Sequence, residues 1–164
     1  MAAHGADVLP AIRELLDRAA IQYREVQHGP VRTSEEAAQA RNEPLEIGGK
    51  ALLIKLGGDL RLCVLPAHLR LDSAALKAHF GVRKTRFATP EELLEHTGLV
   101  PGSVPPFGEP ILPFPLCIDE RIASGERIAF NAGSLSDSIV LSTADYLAVA
   151  RPEDVLRLAR EADS

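Results

Sequence analysis

Aromatic residues are scarce in this chain: five Phe and two Tyr among 164 residues, and no Trp. That excludes a platform on which several bases stack in succession. Only two cysteines occur, Cys63 and Cys117, far apart and without a C-x-x-C pair. A disulfide framework is excluded, and the expectation is two reduced, buried thiols in a cytoplasmic protein. No apolar run approaches the roughly 20 residues of a membrane span, so no membrane partner is expected. Met1 to Asp7 lacks the basic start and apolar middle of a signal peptide. The five histidines, His4, His28, His68, His79 and His96, form no i, i+4 pair and no H-E-x-x-H, so no metal site is expected. Dinucleotide and Walker fingerprints are missing, which leaves no cofactor implied, and Ser103 has no G-x-S-x-G setting for a nucleophile.

Positive charge is also in deficit: 18 Lys and Arg against 23 Asp and Glu give a net charge of −5. A protein that coats long nucleic acid is disfavoured, whereas one that grips a single strand end is not. Arg83, Lys84 and Arg86, with Arg70 upstream, form a local basic group, readable either as a strand edge blunted by charge or as cations for RNA. Hydrophobic content of 46% and charged content of 25% are those of an ordinary globular chain. Its length suits one domain, 1–164.

Proline is present in quantity and concentrated. Six of twelve lie between Pro101 and Pro115, with Phe107, Ile111, Leu112 and Phe114 threaded among them. A linker would be polar and a central strand needs its donors, so a rigid folded loop with an apolar lining is expected. Its glycines let backbone N–H groups approach a ligand, or simply make turns. Gly48-Gly49-Lys50 stands at the mouth of the apolar run Ala51–Ile54.

Helices are well punctuated. One is expected from Val8 to Ala20, with Val8, Ile12, Leu15, Leu16 and Ala19 on one face. Thr33 with Glu36, and Thr89 with Glu92, are capping boxes, the second with Pro90 at the first helical position and Gly98 at the end. Asp72 to Gly81 frames another helix, Ser142 caps one through Leu147, and Pro152 opens a last one towards Glu161. Strands are expected at Ile21–Val26, Ala51–Leu56, Leu60–Pro66, Lys84–Phe87, Leu112–Ile118, Arg127–Asn131 and Ser138–Leu141, with a hairpin turn at Gly57-Gly58-Asp59. Without a regular strand–helix repeat, the fold class is α+β: a largely antiparallel mixed sheet with helices packed on it.

Taken in order, His28-Gly29-Pro30, Thr33-Ser34-Glu35-Glu36-Ala37-Ala38, Lys50–Lys55, Val64-Leu65-Pro66-Ala67, Leu71-Asp72, Thr89–Leu93, Gly98–Gly108, Ile118-Asp119-Glu120 and Asn131-Ala132-Gly133 form an ordered series. This series resembles the YbaK/ProX family, freestanding relatives of the insertion (editing) domain of bacterial prolyl-tRNA synthetase, over about residues 21–147. The resemblance implies hydrolysis of the ester of mischarged aminoacyl-tRNA carrying a small amino acid, with the acceptor end of tRNA, and a synthetase, as partners. The family's functional lysine corresponds to Lys50 and its functional glycine to Gly102. His28, Thr33, Ile54, Leu65, Ser103, Phe107, Gly108 and Asn131 are expected around the substrate, the apolar ones setting pocket size. Where the family commonly has serine before proline, this chain has Val104-Pro105-Pro106, and acidic Glu109 follows where some members are basic. Two rivals remain: a non-catalytic tRNA- or synthetase-binding module with the same fold, and a hydrolase of small esters unrelated to tRNA.

Overall fold

In the computed structural model, which describes residues 2–162, the helices begin where the sequence supplies caps. Helix α1 (Val8–Arg18) buries Val8, Ile12 and Leu16. It stops two residues short of Ala20, which takes a positive φ of 56°. Both capping boxes form: Thr33 opens α2 (Ser34–Arg41) and Thr89 opens α4 (Pro90–Thr97), each hydroxyl accepting from the backbone of the glutamate three residues on. Asp72 caps α3 (Ser73–Phe80), and Ser142 caps α6 (Thr143–Ala150). A short helix that the sequence did not announce, α5 (Glu120–Ala123), follows Asp119.

The strands are β1 (Arg24–Gln27), β2 (Gly49–Leu56), β3 (Asp59–Pro66), β4 (Arg70–Leu71), β5 (Thr85–Phe87), β6 (Leu116–Asp119), β7 (Arg127–Asn131), β8 (Asp137–Ser142), β9 (Asp154–Leu156) and β10 (Ala159–Arg160). Five of them form a mixed sheet in the order β5-β2-β3-β6-β9, and three an antiparallel sheet in the order β1-β8-β7. β2 pairs antiparallel with β3 and β5, whereas β3–β6 and β6–β9 are parallel. The mixed α/β class is as expected. The two sheets meet at a parallel bridge between Gly48 and Ala129. A Cβ on Gly49 would lie 2.7 Å from Ile128 Cδ1, and one on Gly48 would lie 2.8 Å from the Ala67 Cβ. These glycines therefore let backbones converge.

Strand alternation divides the core between the two faces of the larger sheet. Ala51, Leu53, Leu62, Val64, Leu116 and Ile118 face one cluster with α1 and the proline-rich loop. Ile54, Leu56, Cys63, Leu65 and Cys117 face the other, with Leu69 and Leu76. Cys63 and Cys117 lie opposite each other across β3–β6, buried and unbridged.

The proline-rich loop is a core plug. Phe107, Ile111, Leu112 and Phe114 are all buried, Phe107 stands edge-on to Phe130 and Tyr146, and the Tyr146 hydroxyl donates to the Pro106 carbonyl at 2.6 Å.

Two expectations need correction. The strand over Leu112–Ile118 starts only at Leu116, because Pro113 and Pro115 lack donors for a ladder. The helix from Pro152 does not form; β9 and β10 occupy that stretch. There the buried Asp119 carboxylate accepts from Leu158 N and Ala159 N at 3.0 and 2.9 Å, so tertiary hydrogen bonds outweigh local helix preference.

Candidate active site

Where the sheets converge, a cavity of about 350 Å³ opens between the start of β2, the first turns of α2, the turn at Pro101-Gly102 and the end of β7. Its volume lies in the range of small-ligand sites. From β2 come Lys50, Ala51 and Leu52; from α2 and its cap come Thr33, Ser34, Ala37 and Arg41; Gly102, Val104, Asn131 and Leu135 close the far side. Ser34, Ala37 and Arg41 are spaced three and four apart, which aligns them on one face of the helix.

Lys50 is half-buried, and its Nζ donates to the Leu69 carbonyl at 2.9 Å. Burial, and then the neighbouring positive charge of Arg70, push its pKa down, partly opposed by Glu35. The ammonium is thus fixed at the wall without a carboxylate in hydrogen-bond contact among the described residues.

Gly102 sits third in a turn closed by the Ser103 N–H on the Val100 carbonyl at 3.1 Å. Pro101 precedes it and its φ is 89°, a backbone setting that glycine adopts without a Cβ penalty. The turn is pinned from three sides. Asn131 Nδ2 donates to the Gly102 carbonyl at 2.7 Å, Gly133 N to the Ser103 carbonyl at 2.9 Å, and the Ser103 hydroxyl to the Val100 carbonyl at 2.7 Å. The Gly102 N–H has no acceptor among the described residues.

Behind this turn lies a polar network that the sequence did not reveal. Arg41 is 6% exposed, and burial pushes its pKa down to about 10. Its Nε donates to Ser138 Oγ and its Nη2 to Asn131 Oδ1, both at 2.9 Å. His28 completes the set: Nδ1 lies 2.8 Å from the Gly29 carbonyl and Nε2 lies 2.9 Å from Ser138 Oγ. A carbonyl only accepts, so Nδ1 carries the hydrogen, and the single Ser138 hydroxyl proton lies within reach of both His28 Nε2 and Asn131 Oδ1, the latter at 3.3 Å. The chain His28–Ser138–Arg41–Asn131–Gly102 thus ties a buried cation to the glycine turn. Arg41 was legible in one respect, as a charged residue on the same helix face as Ala37 and Ala38.

Of the expected site residues, Lys50, Gly102, Thr33 and Asn131 line the cavity. The others do not. His28 stands behind the wall as a support. Ile54 and Leu65 are fully buried in the second core cluster, and Phe107 is in the first, so none of them sets pocket size. A Cβ on Gly108 would collide with the Phe114 carbonyl, which makes this a packing glycine. Ser103 is 2% exposed and stitched into its own turn. The apolar lining comes instead from Ala37, Ala51, Leu52, Ala67, Val104 and Leu135.

A family model described as the aminoacyl-tRNA editing domain matches residues 28–149. The chain belongs to the aminoacyl-tRNA editing family. Its similarity to the multifunctional Ser/Thr-tRNA deacylase ProXp-y of Escherichia coli (strain K12) is 38% identity over 147 residues, covering 85% of this chain and 86% of that protein. The prolyl-tRNA editing protein ProX of Acetoanaerobium sticklandii is 26% identical over 85% of this chain and 88% of its own length. A solved structure described as a candidate trans-editing enzyme for prolyl tRNA synthetase superposes with a TM-score of 0.78 and 25% identity, covering 93% of this chain and 97% of that one. The editing-domain fold thus places its cavity at the junction of the two sheets. No helix among the described residues is long and apolar enough to cross a membrane.

Proposed function

We propose that this editing-domain protein hydrolyses mischarged aminoacyl-tRNA in trans, removing a small amino acid from the acceptor end. The observation that carries the assignment is the convergence of Lys50, Arg41, Asn131 and Gly102 on one cavity. An aminoacyl ester is already activated, so the protein must chiefly orient it, admit water and stabilise the oxyanion. The unpartnered Gly102 N–H, in a turn pinned by Asn131, is a preorganised donor for that oxyanion. Lys50 and Arg41 bring two fixed cations, and the start of α2 adds the positive end of a helix dipole. Together they receive the terminal phosphate and polarise the ester carbonyl. Ser103 is not the nucleophile in this reading, since its hydroxyl is already bonded within its own turn.

A cavity lined by Ala37, Ala51 and Ala67 and by larger Leu52, Val104 and Leu135, with the hydroxyls of Thr33 and Ser34 beside them, fits a short side chain with or without a hydroxyl. Serine, threonine and alanine are the proposed leaving amino acids. Such a second site is needed because a synthetase discriminates a single methylene by only about 1–3 kcal/mol. A screen of tRNA for proline, alanine and threonine, each charged with several small amino acids, tests the assignment. Release of a small amino acid supports it; inertness towards all of them, with binding retained, would favour the non-catalytic module. Equal turnover of free aminoacyl esters would favour the small-ester hydrolase.

A further inference from the structure

A second cavity, of about 460 Å³, lies at the far end of β2, lined by Lys55, Gly57, Lys77, Arg83, Lys84, Thr85 and Arg86. Five of its seven lining residues are cationic, in a chain whose net charge is −5. They come from three places: Lys55 from β2, Lys77 from α3, and the others from the segment leading into β5 and from β5 itself. Only Arg86 is neutralised by a short ion pair among the described residues, with Glu92 at 2.7 Å. Edge protection explains charges on β5, which borders the sheet. It explains neither Lys55, on the interior strand β2, nor Lys77, on a helix, both lining the same hollow. Nor does it explain Thr85 Oγ1, a buried hydroxyl oxygen without a hydrogen-bond partner among the described residues. Like charges gathered at one hollow raise the energy of the empty site and favour an anion there.

We infer that this hollow is a second anion site that takes backbone phosphates of the RNA whose acceptor end enters the first cavity. The inference rests on the deacylase reading above. Lys50 and Lys55 are five residues apart on β2, about 17 Å along the strand at the rise of a β-strand, and their side chains leave opposite faces of the sheet, so an arm from one to the other passes over the sheet edge. That span corresponds to roughly five nucleotides of helix axis. An RNA arm reaching from the first cavity to the second is therefore of ordinary dimensions, and the second site would hold the stem rather than the reacting end.

The test uses Lys77→Ala/Arg83→Ala/Lys84→Ala, three side chains that make no hydrogen bond or ion pair among the described residues, with Arg83→Glu/Lys84→Glu as a second variant. Both are compared with the wild type on charged full-length tRNA and on a short charged acceptor-end fragment without the stem. The expected result is at least a tenfold fall in kcat/KM on the full tRNA, near-unchanged turnover of the fragment, and a shallower salt dependence of uncharged-tRNA binding. With three phosphates no longer neutralised, the log–log slope should drop by roughly 2–3. Unchanged kcat/KM and slope on full tRNA would overturn the second site while leaving the deacylase intact. An equal fall on both substrates would overturn it too, since the defect would then lie in the first cavity or in folding. Hydrolysis of neither substrate by the wild type would instead overturn the deacylase reading itself.

Discussion

Replacing Arg41 with methionine separates what this buried cation costs the fold from what it gives the site. Burial pushes its pKa from the usual 12.5 to about 10, which corresponds to roughly 3 kcal/mol of desolvation at about 1.4 kcal/mol per pKa unit. Against that stand its hydrogen bonds to Ser138 and Asn131, each worth about 1.5–3 kcal/mol when one partner is charged. Together the two bonds contribute about 3–6 kcal/mol, which offsets the penalty or exceeds it by up to about 3 kcal/mol, and the cavity admits water to the acceptors that the substitution would free. Arg41→Met should therefore change stability by no more than about 2 kcal/mol in either direction, or a Tm shift within about 8 °C for a chain of this size. The pH dependence has a definite sign: a cation whose folded pKa is depressed destabilises the fold below that pKa, and the penalty is relieved only as pH rises through about 10. At neutral pH the penalty is fully present and offsets much of what its hydrogen bonds contribute. Activity should suffer instead. With the anion receptor and the Asn131 anchor both gone, kcat/KM should fall at least about 30-fold, or roughly 2 kcal/mol of transition-state stabilisation. Calorimetric Tm and single-turnover deacylation on the same preparation decide the matter. A collapse in Tm with unchanged activity per folded molecule would refute the reasoning and make Arg41 a structural residue.

Other outcomes follow from the same geometry. Lys50→Ala should leave the fold intact and lower deacylation at least about tenfold; unchanged kcat/KM in the folded variant removes lysine from the site. Because burial and Arg70 hold the Lys50 pKa down, activity that needs its charge should decline with rising pH earlier than for a solvent-exposed lysine, and a Lys50→Arg variant with retained activity should lack that decline. Gly102→Ala forces a side chain to φ 89° with Leu135 Cδ2 at 3.4 Å, at a cost of about 1–3 kcal/mol, and should lose both Tm and kcat/KM. Ser103→Ala should lose only stability, and a folded but inactive serine variant would demand a covalent mechanism. Asp119→Ala strands the Leu158 and Ala159 N–H groups, neither of which lines the cavity, so denaturant unfolding should show a loss of about 2–3 kcal/mol with activity per folded molecule preserved.

The caps were the most legible part of this chain because each is a local contract between residues three apart. Thr33–Glu36 and Thr89–Glu92 form in the structure as their spacing requires. The C-terminal stretch was illegible for the opposite reason: its strands exist through pairing with β6 and β4 and through Asp119, more than thirty residues away. Lys50, Gly102, Thr33 and Asn131, which the family resemblance implies around the substrate, line the cavity. Phe107, Ile54 and Leu65 look the same in sequence whether they line a pocket or fill a core, and only the tertiary packing that buries them decides it. Arg41 escaped because its significance lies in contacts with Ser138 and Asn131, ninety or more residues distant.

The most direct test of the central claim is single-turnover hydrolysis of tRNA carrying serine, threonine or alanine, with correctly charged prolyl-tRNA as the control. At least one small amino acid should be released at a rate at least about 100-fold above the spontaneous ester hydrolysis, some 2.7 kcal/mol of catalysis. That release should fall at least about tenfold in Lys50→Ala and Gly102→Ala, with prolyl-tRNA spared by the wild type. Spontaneous rates on every mischarged tRNA, from a folded protein that binds them, would contradict it.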